Sequence, residues 1–322
     1  MKVYLAPMEG LTGYVYRSAH HAFFPQIDKY FSPFITANRK DGFTTRELND
    51  ILPEHNQGIV LVPQILTNQA SDFLHTANAL NRFGYDEINL NLGCPSGTVV
   101  AKNKGSGFLA QREALDRFLE DIFAHTDSKI SIKTRIGKDH PDEFYPLLEI
   151  FNKYPLEELI IHPRIQKDFY KNAPDWQVFR EAVQSSRNPV CYNGDLFSAK
   201  EYEAFSAVFP QVDTVMLGRG IIMNPGLAGE LRNAPRLDKK VLRDFHDRVY
   251  EDYKKAISGE KNVLYRMKEM WLYMIQIFPE PAKYWKRIKK SENFRNYDEA
   301  VTVLFREQEI TRPEHAAERV SP

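Results

Sequence analysis

The chain repeats a two-part rhythm: a short apolar run, then a longer stretch whose apolar residues fall three and four apart. Eight β-rich runs occur in order, at Val3–Met8, Tyr30–Ile35, Ile59–Ile65, Glu87–Leu92, Lys129–Ile136, Leu159–Pro163, Pro189–Asn193 and Thr214–Leu217. Most are unbroken stretches rich in Val, Ile and Leu. A strand buried on both faces reads that way, so they predict a parallel sheet covered on its outer face. Between them lie segments of helical period. Ser71–Phe83 carries Phe73, Leu74, Ala77 and Leu80 on one stripe, and Glu113–Phe123 carries Leu115, Phe118, Leu119 and Ile122. Strands alternating with helices predict βα units. Eight of them in roughly 230 residues predict a closed (β/α)8 TIM barrel. The alternative, an open doubly wound sheet, should carry a G-x-G-x-x-G turn after its first strand. The segment Pro7-Met8-Glu9-Gly10-Leu11-Thr12-Gly13 does not match it.

After about residue 235 the strand rhythm stops. Asp244–Ile257 and Val263–Ile277 read as long amphipathic helices, Phe278-Pro279-Glu280-Pro281 as a break, and Glu292–Phe305 as one more helix. The expected organisation is a barrel domain over residues 1–235, a helical domain over 236–312 and a polar, flexible tail over 313–322.

Composition changes this picture little. Of 322 residues, 43% are hydrophobic and 27% charged, as in an ordinary globular protein. No run approaches the roughly 18 apolar residues of a membrane span, and the N-terminus enters a strand pattern directly, without a signal core. The two cysteines, Cys94 and Cys191, imply no disulfide framework, so a cytoplasmic protein is expected. Charge is more informative. The net charge is zero, but residues 232–312 hold 19 basic and 13 acidic residues, a balance of +6, against 23 and 28 over residues 1–231. Such asymmetry fits a polyanion bound partly by the basic segment; a solvated helical surface would also produce it.

In a barrel, functional side chains sit at the C-terminal ends of the strands and in the loops that follow. Here those ends carry Pro7-Met8-Glu9, Gln64, Asn89 to Pro95, Lys133 with Arg135, His162, Asn193-Gly194-Asp195 and Gly218-Arg219-Gly220. A buried polar group without a partner costs about 1–3 kcal/mol, so a set converging on one rim calls for a polar ligand. Gly218-Arg219-Gly220, just after the last strand, lies where barrels commonly bind phosphate, and Asn193-Gly194 lies one strand earlier. Either is also a common turn. Lys133, among Ile130, Ile132 and Ile136, calls for an anion or an electron-rich ring. His162 alone reads equally as a satisfied core histidine. No metal-ligand set stands out.

Cys94 opens the long loop after the fourth strand, which also holds Gly93, Gly97, Gly105, Gly107, Lys102 and Lys104 and reads as mobile and cationic. An ordinary thiol, with a pKa of about 8.5, is mainly protonated at neutral pH and can donate a proton. Cys191, inside a strand, reads as inert.

Taken together, these residues resemble the tRNA-dihydrouridine synthase family. The matching segments are Ala6-Pro7-Met8-Glu9-Gly10, Asn89–Ser96 with its Gly-Cys-Pro, Gly105-Ser106-Gly107, Ile132 to Gly137, His162-Pro163-Arg164, Asp175-Trp176, Asn193-Gly194-Asp195 and Met216 to Gly220 followed by Asn224-Pro225. They run in family order over residues 3–230. The resemblance implies bound FMN, with NADPH as reductant. It implies that Pro7, Met8 and Glu9 line the flavin through backbone, that Gln64 and Lys133 meet its ring edge with His162 nearby, and that Asn193, Gly194, Asp195, Gly218 and Arg219 hold its phosphate end. It also implies that Asn91 and Arg135 lie near flavin and substrate, that hydride goes to C6 of a uracil and that Cys94 protonates C5. Lys102, Lys104 and the basic segment would meet tRNA phosphates. The run Lys283 to Lys290, with Lys286, Arg287, Lys289 and Lys290, suits RNA contact, though a helix with a core-facing Trp and a wet basic face reads the same.

The chain departs from the family pattern in three places. It has His162-Pro163-Arg164-Ile165 where His-Gly-Arg-Thr is usual, no glycine in Gln166–Ala173, and Cys191-Tyr192 ahead of Asn193. Two other functions fit parts of the pattern: an FMN barrel acting on a free pyrimidine or small enone, and a barrel that binds RNA without redox chemistry. A monomer is expected, and the D-loop uridine that would be reduced is not legible.

Overall fold

The computed structural model describes residues 1–37 and 42–311. The expected tail over 313–322 lies outside them. The described residues form two compact units. Unit 1 comprises Met1–Pro7, Asp28–Gly194 and Ser206–Met216, and unit 2 comprises Met8–Ile27, Asp195–Phe205 and Leu217 onward.

The barrel strands are β1 (Lys2–Leu5), β2 (Lys29–Phe31), β3 (Ile35–Thr36), β4 (Leu61–Val62), β5 (Gln64–Leu66), β6 (Glu87–Leu92), β7 (Lys129–Arg135), β8 (Glu158–His162), β9 (Val190–Tyr192) and β10 (Thr214–Leu217). Two expected strands are each split. Pro33 interrupts Tyr30–Ile35 and Pro63 interrupts Ile59–Ile65, because proline brings no N–H to a ladder. The ten short strands therefore make eight staves. Their order is β3-β5-β6-β7-β8-β9-β10-β1-β2-β4, and the pairings between them are parallel. The two ends of that order belong to the second and third staves, which also pair as β2 with β4 and β3 with β5. The ring is closed, as the apolar runs predicted.

The inner face follows from register. Asn91, Lys133, Ile160 and Cys191 lie in one row across four staves. Ile160 and Cys191 belong to a buried cluster with Tyr4, Ala6, Phe31, Val62 and Met216, so this parity points inward. Outside, helix Arg112–His125 buries Leu115, Phe118, Leu119 and Ile122, the stripe read from sequence, and helix Ala70–Asn81 buries Phe73, Ala77 and Leu80 of its expected stripe, with Thr76 buried and Leu74 only half-buried. Phe73 and Phe118 meet edge to face at 6.1 Å.

Unit 2 is helical. Helix Lys239–Ala256 starts at Asp238, whose carboxylate accepts the Lys240 and Val241 amides. Helix Glu260–Met274 runs on as the 3-10 turn Ile275–Ile277, and Pro281 opens the helix Pro281–Lys290, where a missing N–H costs nothing. Helix Phe294–Glu307 is capped by Asn293. Their shared core holds Trp271, Tyr297, Phe278 and Phe305, and the Tyr297 hydroxyl lies 2.7 Å from both Trp271 Nε1 and His246 Nε2. No helix among the described residues is long and apolar enough to cross a membrane.

Candidate active site

In unit 1 the mouth of the barrel is organised by one chain of side-chain amides. Gln64 and Asn89 are register partners, as are Asn89 and Ser131, and all three are fully buried. Gln64 Nε2 donates to Asn89 Oδ1 at 2.8 Å, and Asn89 Nδ2 donates to Ser131 Oγ at 2.9 Å. Asn91 Nδ2 donates to Gln64 Oε1 at 2.7 Å, while Asn91 Oδ1 accepts the amides of Gly93 at 3.1 Å and Cys94 at 2.9 Å. The polar row inside three staves thus ends by fixing the backbone of the cysteine. From the other side, the Cys94 carbonyl accepts Ser106 N at 3.1 Å and Ser106 Oγ at 2.8 Å. This approach requires Gly105, which has φ +55; a Cβ there would lie 2.8 Å from the Cys94 oxygen. The loop read as mobile is folded into the short helix Gly97–Val100 and the 3-10 turn Gly105–Ala110. Lys102 is exposed and Lys104 half-buried, and Asn68 Nδ2 donates to the Lys102 carbonyl at 3.2 Å.

Arg135 and Lys133, two residues apart on β7, are held differently. Arg135 is almost fully buried, and its guanidinium donates to the carbonyls of Gly93 at 3.1 Å, Ile165 at 2.8 Å and Phe169 at 2.8 Å. It joins the loop after the fourth stave to the loop after the sixth. Burial, then the like charge of Arg164, pulls its pKa down to about 10, against an upward pull from Tyr170. The missing glycine of that second loop has a structural counterpart: Phe169 takes φ +49, a left-handed conformation unfavourable to a bulky side chain. The half-buried Lys133 ammonium has no hydrogen-bond partner among the described residues. Desolvation first, and Arg135 second, bring its pKa down to about 8, while Cys191 and Cys94 pull it back up. His162 is buried, with Arg164 Nη1 at 3.1 Å from its Nε2 and the Tyr170 ring at 5.9 Å. Asn193 Nδ2 donates to the Met216 carbonyl at 2.8 Å. Gly194 is obligatory, since a Cβ would lie 2.0 Å from the Tyr192 hydroxyl oxygen. Pro7, half-buried, ends the first segment of this unit.

Unit 2 holds the remaining expected residues. Met8, Glu9 and Gly10 form a turn in which Leu11 N and Thr12 N donate to the Met8 carbonyl at 3.1 and 3.0 Å, and Met8 N donates to Thr12 Oγ1 at 2.8 Å. Arg219 and Asp195 form a buried ion pair at 2.5 Å, with the guanidinium 5.4 Å from the Phe197 ring. Gly220 lets the Gly218–Gly220 turn approach the Leu196 carbonyl, 2.1 Å from where a Cβ would stand.

The basic run lies on helix Pro281–Lys290. Tyr284 and Ile288 face inward and Trp285 is half-buried, whereas Lys286, Arg287, Lys289 and Lys290 are exposed with no ion-pair partner among the described residues. The cations of helix Lys239–Ala256 behave oppositely: Lys240, Arg243 and Arg248 each pair with an aspartate four residues on. Most cations of helix Lys239–Ala256 are paired within it, and these four of helix Pro281–Lys290 are not.

Sequence reasoning missed Ser131, gave no role to Ser106 and Arg164 although both stand in matching segments, and did not single out Asn89 from its segment. The signal for Asn89 was its spacing of two from Asn91 on one strand, which puts both side chains on one face.

A family model described as dihydrouridine synthase matches residues 4–321. A probable tRNA-dihydrouridine synthase of Staphylococcus aureus (strain COL) is 29% identical over 231 residues, which are 69% of this chain and 68% of that protein. A tRNA-dihydrouridine(16) synthase of Neisseria meningitidis is 26% identical over 231 residues, 68% of each chain. Among solved structures, an old yellow enzyme homologue from Zymomonas mobilis superposes with a TM-score of 0.51 at 11% identity, covering 73% of this chain and 90% of that one. Histamine dehydrogenase from Rhizobium sp. 4-9 gives 0.54 at 10%, covering 84% and 49%. At these identities the likeness is one of barrel fold.

Proposed function

The chain belongs to the dihydrouridine synthase family, and from that premise we propose that it reduces one uridine of a tRNA D-loop to 5,6-dihydrouridine, with bound FMN and with NADPH as reductant. The observation that carries this reading is the pair formed by Lys133 and Cys94. One is a half-buried cation with no side-chain hydrogen-bond partner among the described residues, whose pKa burial lowers, and the other a cysteine whose backbone is fixed on two sides. A cation left uncompensated in a barrel fits the electron-rich edge of an isoalloxazine, so the residues present suit the cofactor. Gln64 would meet the same edge, since each end of its amide keeps one further hydrogen-bonding position. His162 would lie beside it, Pro7, Met8 and Glu9 would line it through backbone, and Asn193, Gly194, Asp195, Gly218 and Arg219 would hold the phosphate.

When bound and reduced, FMN would supply the hydride that C6 of the uracil accepts. The rest falls to the protein. Cys94 delivers its proton to C5, so the C5=C6 double bond becomes single, and the thiolate regains a proton from solvent. Asn91 and Ser106 keep the cysteine in place for that transfer, and Arg135 keeps the two flanking loops together around the substrate. A uracil must leave its stack to react, at a cost of a few kcal/mol, which favours loop nucleotides. Lys102, Lys104, Lys286, Arg287, Lys289 and Lys290 would take the phosphates. The four exposed cations of helix Pro281–Lys290 favour a polyanionic substrate over a free pyrimidine. On this reading residues 1–235 carry the chemistry, residues 236–312 carry the RNA, and the enzyme works as a cytoplasmic monomer.

The direct test supplies purified protein with FMN, NADPH and unmodified tRNA transcripts and maps dihydrouridine in the product. Dihydrouridine at one D-loop position is expected. A protein that takes up no FMN, or reduces free uracil as readily as tRNA, would sink the reading.

A further inference from the structure

The loop after the first strand, which the proposed function places against the flavin, is held by the helical C-terminal segment within one compact unit. Its apex is Gly10, with φ +79, a backbone conformation that glycine adopts without strain. Arg266, on helix Glu260–Met274, donates from Nη1 to the Gly10 carbonyl at 3.3 Å and from the same nitrogen to Glu269 Oε2 at 3.0 Å. The fit is close on the loop side too. A Cβ at Gly10 would stand 2.8 Å from Arg266 Nη1 and 3.2 Å from Glu269 Oε2. Below the apex the turn is closed on itself by the Met8 and Thr12 bonds, and Arg17 Nη1 donates to the Thr12 carbonyl at 2.7 Å. Fixing the apex therefore fixes Met8 and Glu9.

The segment that follows is anchored to the same helices. Helix Tyr14–Phe23 and Phe24 surround Phe245 of helix Lys239–Ala256, with Tyr16 at 5.7 Å, Phe23 at 6.0 Å and Phe24 at 5.5 Å, all edge to face. His20 Nε2 lies 3.0 Å from the Pro225 carbonyl. The loop is thus tied at its apex to one tail helix and at its exit to another.

We infer that Arg266 is a positioning residue for the flavin: by gripping the Gly10 carbonyl, with Glu269 as its counter-ion, it holds the Met8-Glu9 turn in its cofactor-binding conformation. The helical segment is then part of the cofactor site as well as a surface for RNA. This inference rests on the flavin reading above.

The test titrates FMN into full-length apoprotein by flavin fluorescence quenching, with far-UV circular dichroism as a check on folding. Arg266→Ala should weaken FMN binding about tenfold, the loss of one charge-assisted hydrogen bond. Arg266→Lys, which keeps the charge but lacks the guanidinium fork, should lose less, and it carries the test if the alanine variant misfolds. Gly10→Ala should weaken FMN by a similar factor, and the double variant should be no worse than the poorer single one, because both break the same interaction. Lys261→Ala, about one and a half turns away on an exposed site, controls for charge alone and should bind FMN as the parent does. The KM for tRNA, measured at saturating FMN, should stay within about twofold of the parent's. Unchanged FMN affinity in Arg266→Ala, or a loss matched by Lys261→Ala, overturns the inference. So does a raised KM for tRNA with FMN binding intact, which would make Arg266 a phosphate ligand. A parent protein that binds no FMN fails differently, because it removes the flavin reading itself.

Discussion

Asn91→Ala and Asn89→Ala separate what the amide chain does for stability from what it does for chemistry. Asn89 bridges two fully buried groups, and its removal orphans Gln64 Nε2 and Ser131 Oγ. At about 1–3 kcal/mol for each orphaned buried group, the cost is about 2–6 kcal/mol. Asn91 makes three bonds, but two of its partners, the amides of Gly93 and Cys94, are half-buried and within reach of water. Only Gln64 Oε1 is left orphaned, which costs about 1–3 kcal/mol. The chemical consequences run the other way. Asn91 holds the Cys94 amide at 2.9 Å and Asn89 does not touch that loop, so the loss of Asn91 lets the thiol drift from C5. A displacement approaching 1 Å is worth on the order of 100-fold in rate. Urea unfolding followed by tryptophan fluorescence gives the first quantity. Single-turnover reoxidation of reduced enzyme by excess tRNA gives the second. The expected order is Asn89→Ala worse in stability and Asn91→Ala worse in turnover, by tenfold or more. If Asn91→Ala slows turnover no more than Asn89→Ala does, the amide chain does not position the cysteine.

Three further outcomes are expected of the same structure. Cys94→Ala should keep its FMN and lose most turnover, since C5 then lacks its proton donor; full activity would remove the thiol from the reaction. Neutralising Lys286, Arg287, Lys289 and Lys290 together should raise the KM for tRNA and flatten its dependence on log salt by up to about 0.7–0.9 for each phosphate that the helix no longer neutralises, and an unchanged slope would return that helix to an ordinary wet surface. Glu158, on the inner face of β8, is pushed up to about 7 by burial, against the opposing pull of Lys29 and the Tyr4 hydrogen bond. Between its ordinary range and pH 7 the folded chain holds a proton that the unfolded chain has lost, so stability falls as pH rises through that window. Glu158→Gln should therefore raise the thermal midpoint at pH 8, by about 3 kcal/mol in free energy, and leave it unchanged near pH 4.5. A shift independent of pH would contradict the assignment.

The staves were legible because strands buried on both faces must be apolar along their length, and the helices because a one-sided stripe betrays its partner surface. The splits at Pro33 and Pro63 were equally present in the sequence, since a missing N–H is a local fact. What did not show was pairing. That Gln64 faces Asn89, and Asn89 Ser131, depends on the register of staves 25 and 42 residues apart. Neither residue type nor spacing carries that information. The strained Phe169 is half visible in the sequence: the loop lacks its usual glycine, but which residue takes the left-handed conformation depends on where Arg135 meets a carbonyl.

The pairings also change what a polar residue inside the barrel means. From sequence, Gln64, Asn89, Asn91 and Arg135 are polar groups in apolar strands that call for a ligand as a set, and Lys133 is the one that calls for an anion or an electron-rich ring by itself. In the folded chain four of them answer one another or the backbone: Gln64, Asn89 and Asn91 through their amides, and Arg135 through three carbonyls. A group partly satisfied by the protein holds its neighbours still and, like Gln64, has only its remaining hydrogen-bonding positions to offer, whereas a group without a side-chain partner is stabilised by whatever supplies one. Lys133 is that group in the polar half of the barrel. Burial lowers its pKa, and an electron-rich ring edge against it would raise that pKa again. Among the described residues the polar row is therefore divided between an amide frame, which fixes the backbone of Cys94, and a half-buried lysine with no side-chain hydrogen-bond partner, the position from which a ligand would gain most.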